Sequence, residues 1–295
     1  VRIQLLLSHL VQKFLKKSNV FDLNLEIGHS VRDPQSCLEE AKKDISVATS
    51  LYERRFITGN HKTTELITKS LEAADLWPTS EFFSAKLQEQ KARHKHFDDS
   101  EYNLEPNVKA SPGALRDVHT VLWICHKKFN TTDPTELVGL TVLTEQEKDW
   151  LIKGRDFLWW VRFGLHLLAK RKEDRLTFSY QRELASKFSQ TEENEAKSLV
   201  ESFMQNYYRH VLALSEVNDI LIQHFRETLI PTKRSKTLII NNLFDIRDGY
   251  LEAKHPQVFE KKPAALMEMF VLMANNPEID GVSAASIRLV RENLH

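Results

Sequence analysis

The polar and apolar positions set out a mostly helical chain. After an amphipathic opening, VRIQLLLSHLVQKFLKK, residues Phe21, Leu23, Leu25 and Ile27 alternate with Asp22, Asn24 and Glu26, the period of a half-buried strand. Asp33-Pro34 then supplies a cap and a first-turn proline. Cys37, Leu38, Ala41, Ile45, Ala48, Tyr52 and Phe56 follow at helical spacing up to Gly59-Asn60, predicting one helix of roughly six turns. Beyond it the spacing predicts helices over 62–76, 79–102, 114–129, 145–171, 181–189 and 194–227, with prolines 78, 106, 112, 134 and 231 between elements. Thr144-Glu-Gln-Glu147 reads as a capping box ahead of KDWLIKGRDFLWWVRFGLHLLAKR, whose apolar residues fall on more than one side and predict a central, buried helix. From 237 the pattern changes to a β-like run with an Asp-Gly turn, TLIINNLFDIRDGYLEA. Short helices in HPQVF, PAALMEMFVLMAN and SAASIRLVREN follow it. No repeat of fixed period is present, which argues against a solenoid.

Composition narrows the function classes. With 295 residues and 41% hydrophobic content, the chain can fill a proper core. Lysine plus arginine and aspartate plus glutamate are each 41, so there is no excess field to attract nucleic acid. Cys37 and Cys125 form no CxxC or zinc spacing and suit a reducing cytoplasm as packing residues. The opening helix has too short an apolar core for a signal peptide and too few apolar residues for a membrane span. A first residue that falls in mid-pattern, with no initiator methionine, suggests a piece of a longer protein.

Three stretches hold candidate chemistry. Asp22, Asn24 and Glu26 share one strand face, where carboxylates could bind magnesium or simply meet water. The stretch KASPGALRDVHT, residues 109–120, places a Pro-Gly turn before an Arg-Asp pair at a helix start. Ser111 with Pro112 would cap that helix. Free turn N–H groups beside Lys109 and Arg116 would suit a phosphate; the alternative is a capped helix on which Arg116 and Asp117 make ion pairs, and the spacing leaves both open. In HKHFDD, His94 and His96 stand two apart and face different sides of a helix, so a solvated face is the simpler reading. The same default of packing with a polar rim covers Arg175, Gln181, Arg182, Tyr207, Tyr208, Arg209 and His210. GxGxxG, GKS or GKT, HExxH, GxSxG, His-Asp and Asp-x-Asp are all missing from the sequence.

Taken in order, FDLNLEIGHSVRDPQSCLEEAKKDISVATSLYERRFITGN, NLEPNVKASPGALRDVHTVLWICHKKF, DRLTFSYQRELASKF, ESFMQNYYRHVLALSEV and FDIRDGYLEAKHPQVFEKKPAALMEMFVLMANNPEIDGV resemble the bacterial PII uridylyltransferase/uridylyl-removing enzymes. The resemblance implies a mainly α fold: a helical bundle domain with a short remnant of an α+β nucleotidyltransferase domain at the N-terminus. It places the end of that domain at 1–60, the helical domain at 61–230, and a connector to an absent HD domain at 231–295. It implies transfer of UMP from UTP to a tyrosine of the PII protein, with Mg2+ as cofactor and glutamine sensed through absent ACT domains. Asp22 takes the place of the family's third metal-binding, catalytic carboxylate. Lys109, Gly113, Arg116 and Asp117 fall on its nucleotide-binding turn, while Ser111 and Ala114 stand where glycine is usual. A fragment lacking the other carboxylates would be inactive alone. A helical scaffold module, or a glutamine synthetase adenylyltransferase relative, are the alternative readings.

Overall fold

In the computed structural model, residues 30–74, 76–97, 99–188, 196–230 and 237–293 are described. The expected N-terminal helix and the strand carrying Asp22, Asn24 and Glu26 lie outside them. The chain divides into two compact units at Pro78–Thr79.

In the first unit, α1 (Pro34–Lys43), α2 (Ile45–Tyr52) and α3 (His61–Ala73) close on Ala41, Ala48, Leu71 and Leu76. The single helix expected up to Phe56 is two helices ending at Tyr52. Asp44 adopts an extended conformation (φ −131°, ψ 116°), and its carboxylate accepts the Ser46 N–H at 2.6 Å. A side chain that caps the next turn competes with helix continuation, so the apolar period runs on through a break. Trp77 Nε1 donates to the Ala41 carbonyl at 2.8 Å and ties residues 76–78 to these helices. The helix starting at 61 thus packs in the same unit as α1 and α2.

The second unit is built on α4 (Thr79–Lys95), α5 (Leu115–Phe129), α6 (Pro134–Gly139), α7 (Glu145–Ala169), α8 (Phe178–Phe188) and α9 (Ala196–Leu229). The central helix is α9, 34 residues long, against which α4, α5, α7 and α8 all pack. Along it Phe203, Tyr207, Val211, Leu214, Val217, Leu221 and Phe225 are buried. By contrast α7 buries one seam, Leu151, Gly154, Leu158, Val161 and Leu165, and its Trp159, Phe163 and Leu167 are exposed. The expectation of a helix buried on several sides fails because aromatic content was read as burial, whereas the 3-4 spacing marks one face. The unpredicted α6 begins at Pro134, with Asp133 accepting the Thr135 N–H at 2.9 Å; that proline starts a helix instead of separating two.

A small sheet follows in the order β1 (Thr237–Ile239), β2 (Phe244–Arg247), β3 (Tyr250–Ala253), β4 (Gly281–Val282). The first three strands are antiparallel and β4 joins β3 in parallel. Asp248 and Gly249, with φ of 53° and 89°, form the two-residue turn between β2 and β3. The helices α10 (Val258–Lys261), α11 (Ala265–Asn275) and α12 (Ala284–Glu292) accompany it. Phe244, Ile246, Leu251, Val258, Phe259 and Met269 form their common core. The fold is mainly α.

Candidate functional site

The turn 107–114 is fixed before any ligand is considered. Asn107 accepts the N–H groups of Lys109 and Ala110 through Oδ1 (3.1 and 2.9 Å), and Ser111 Oγ accepts the Asn107 N–H at 3.0 Å. Ser111 is therefore spent inside the turn and caps nothing; Ala114 is the N-cap residue and lends no side chain. Gly113 has φ 71°, and a Cβ there would lie 2.5 Å from the Val211 carbonyl oxygen of α9. Both the backbone conformation and the close approach require glycine.

Asp117 holds the turn from the third position of α5. Its carboxylate is 1% exposed. Oδ2 accepts the Gly113 N–H at 2.8 Å, Oδ1 accepts Gln90 Nε2 at 3.0 Å and an Arg93 guanidinium nitrogen, and His94 Nε2 lies 2.9 Å from both oxygens. Gln90 also donates to Asn218 Oδ1 at 2.8 Å, joining α4 and α5 to α9. Nearby Asp219 is pushed above the usual carboxylate range by burial, with the Glu101 and Asp117 charges adding to it and the Asn218 amide opposing.

This arrangement corrects the expected phosphate cradle. The N–H groups of Ala114, Leu115, Arg116 and Asp117 donate to the carbonyls of Ser111, Val108, Lys109 and Ala114, and that of Gly113 goes to Asp117. The turn presents no free run of N–H groups because its own chain and Asp117 consume them. Asp117 and Gly113 are internal braces, and Asp117 does not pair with Arg116.

What faces outward is side-chain charge. Lys109 and Arg116 are half-buried, and among the described residues neither side chain has an ion-pair partner. The Arg116 guanidinium carbon lies 5.3 Å from the centroid of the Trp123 ring, which also has Lys86 Nζ at 4.5 Å. The Lys109 ammonium is held below its ordinary pKa by burial first, then by the charges of Arg116, Arg162 and Lys172, with Asp174 opposing. Arg162 and His166 enter the neighbourhood from α7 and were missed in the sequence, where only the apolar residues of that run were considered. The i, i+4 spacing was the available signal. His94, read as solvated, instead bonds Asp117. Asp22 lies outside the described residues. Among those residues no group of three or more His, Cys, Asp and Glu side chains is placed to hold a metal ion, and no helix is long and apolar enough to cross a membrane.

Residues 81–222 match the family described as GlnD PII-uridylyltransferase, and residues 244–295 match the Uridylyltransferase GlnD third domain. The bifunctional uridylyltransferase/uridylyl-removing enzyme of Pseudomonas aeruginosa (strain LESB58) is 47% identical over 277 residues, covering 94% of this chain and 31% of the relative. Its counterpart in Pseudomonas fluorescens (strain SBW25) is 45% identical over 286 residues, 97% of this chain and 31% of the relative. No solved structure matches the chain. The chain spans about a third of the length of the curated relatives it matches. Across that span it belongs to the bifunctional uridylyltransferase/uridylyl-removing enzyme family.

Proposed function

We propose that this chain is the helical segment of a PII uridylyltransferase and that Lys109 and Arg116 grip the phosphates of UTP while UMP passes to a tyrosine of PII. The observation that carries this reading is that Lys109, on a turn locked from behind by Asp117, and Arg116, in the first turn of α5, are half-buried and have no ion-pair partner among the described residues. Phosphoryl and nucleotidyl transfer ask a protein mainly for positioning and for charge placed where charge develops. Lys109 supplies a point charge, and Arg116 a planar fork whose guanidinium carbon lies over the Trp123 ring, 5.3 Å from its centroid. The buried Asp117 network keeps the turn from reorganising as charge builds on the departing pyrophosphate.

Asp22 is the residue we assign to Mg2+, which when bound would offset triphosphate charge. Transfer from the complete enzyme also draws on carboxylates outside this chain, and glutamine acts through ACT domains likewise outside it. The setting is cytoplasmic.

Assays of UMP transfer and UMP removal test the proposal. Asp22→Asn in the complete enzyme is expected to abolish transfer and spare removal, and the 295-residue chain alone is expected to do neither. Transfer by the isolated chain, or transfer that survives Asp22→Asn, would overturn it.

A further inference from the structure

The stretch 174–176 runs antiparallel to 106–108. The Val108 N–H donates to the Asp174 carbonyl at 2.9 Å, the Leu176 N–H donates to the Pro106 carbonyl at 2.8 Å, and Asn107 faces Arg175 in an isolated bridge. Gln181 reinforces the seam, its Nε2 donating to the carbonyls of Leu104 (2.7 Å) and Leu176 (3.0 Å). This pairing delivers Lys109 next to Asp174.

The carboxylate of Asp174 points the other way, to α7. Its Oδ1 accepts Arg162 Nε at 2.7 Å and lies 3.3 Å from His166 Nε2. Arg162 is thus held through Nε alone. Among the described residues its two terminal nitrogens have no protein acceptor, and the side chain is 28% exposed. Asp174 stays below the usual carboxylate range: burial works against ionisation, but the Arg162 hydrogen bond and charge, His166 and Lys109 outweigh it. Four cations, Lys109, Arg116, Arg162 and Lys172, therefore share a neighbourhood with this one carboxylate. Partly burying an excess of like charge is costly unless an anion completes the set.

We propose that Arg162 is a third side-chain contact of the phosphate site, offering its free guanidinium fork to the triphosphate of a nucleotide, and that Asp174 is the residue that positions it. The proposal rests on the reading of Lys109 and Arg116 as phosphate contacts. A guanidinium tethered at Nε presents two parallel N–H groups in fixed orientation, the geometry that suits a phosphate. Asp174 links that fork to the turn, so that both halves of the grip move as one body.

Titrating the complete enzyme with UTP and, separately, with inorganic triphosphate tests this, with thermal melting as the control on folding. Arg162→Gln is expected to weaken both ligands by about tenfold. Arg162→Lys can keep its pairing with Asp174 yet loses the fork, and is expected to weaken both ligands with an unchanged melting temperature. Asp174→Asn is the sharpest variant, because it removes a negative charge from a phosphate site. Simple electrostatics demands tighter binding, whereas loss of positioning demands weaker binding. Tighter or unchanged binding by Asp174→Asn overturns the positioning role. Unchanged affinity in both Arg162 variants, with weakened binding in Lys109→Gln, overturns the third contact and leaves the parent reading intact. Unchanged affinity in Lys109→Gln removes both.

Discussion

Asp117 has little water to stabilise its charge, so Arg93, Gln90, His94 and the Gly113 N–H carry that role. Removing one member of such a buried charged set strands the others. Asp117→Ala should cost about 3–5 kcal/mol of unfolding free energy, read from urea denaturation; a loss below about 1 kcal/mol would mean an exposed-pair role. Asp219 works in the opposite direction. Its carboxyl is raised in the folded state, chiefly by burial, so between the unfolded carboxylate range near pH 4 and its own higher value the folded chain binds the extra proton. Stability contributed at this site falls as pH rises through that window. Asp219→Asn should therefore stabilise the protein at pH 7 and flatten the pH dependence above pH 4, as a denaturant series would record; a less stable variant at pH 7 would contradict the assignment. At this scale the sequence drew attention to Lys109 and the Gly-Ala-Leu-Arg-Asp run, but it did not show that Asp117 braces the Gly113 turn from within. The partners of Asp117 in α4 lie 23 to 27 residues upstream, and only helix packing brings them in.

Among the elements, the junction of α7 and α12 joins two motifs that the sequence showed separately. Thr144 Oγ1 accepts the Glu147 N–H at 3.1 Å, and Glu147 Oε2 accepts the Thr144 N–H at 2.9 Å, the capping box read from the pattern. The same carboxylate receives Arg288 of α12 at 2.8 and 3.0 Å, and Arg288 also donates to the Val142 carbonyl at 2.8 Å. Glu147 is 3% exposed, so Arg288→Met leaves a buried carboxylate without its counter-ion. We expect a loss of about 3 kcal/mol and faster amide exchange in the first turn of α7. Exchange as slow as in the parent chain would show that α12 does not brace that cap. Local rules carried most of the helices and the Asp-Gly turn, because caps, prolines and apolar spacing act over a few residues. They failed at Asp44, where a cap interrupts a continuous period, and at Trp159 and Phe163, where apolar side chains face outward.

For the molecule as a whole, the proposed role of the helical segment is that of a backing for charged side chains. The N–H groups of residues 113–117 are used internally, so the nucleotide contact we propose at this place would rest on Lys109, Arg116 and the α7 cation beside them. The Ser111 and Ala114 departures fit that division, since a turn that closes on itself has no need of backbone approached by phosphate. The most direct measurement is calorimetric titration of UTP into the complete enzyme and its Arg116→Ala variant, with melting of both. A cation–π contact such as that of Arg116 with Trp123 is worth about 1 kcal/mol, so the variant should melt only slightly lower. Its UTP affinity should fall at least about tenfold, because a positioned charge beside phosphate oxygens is worth more than an exposed contact. Unchanged affinity with a clearly lower melting temperature would contradict the account and make the turn a structural brace alone.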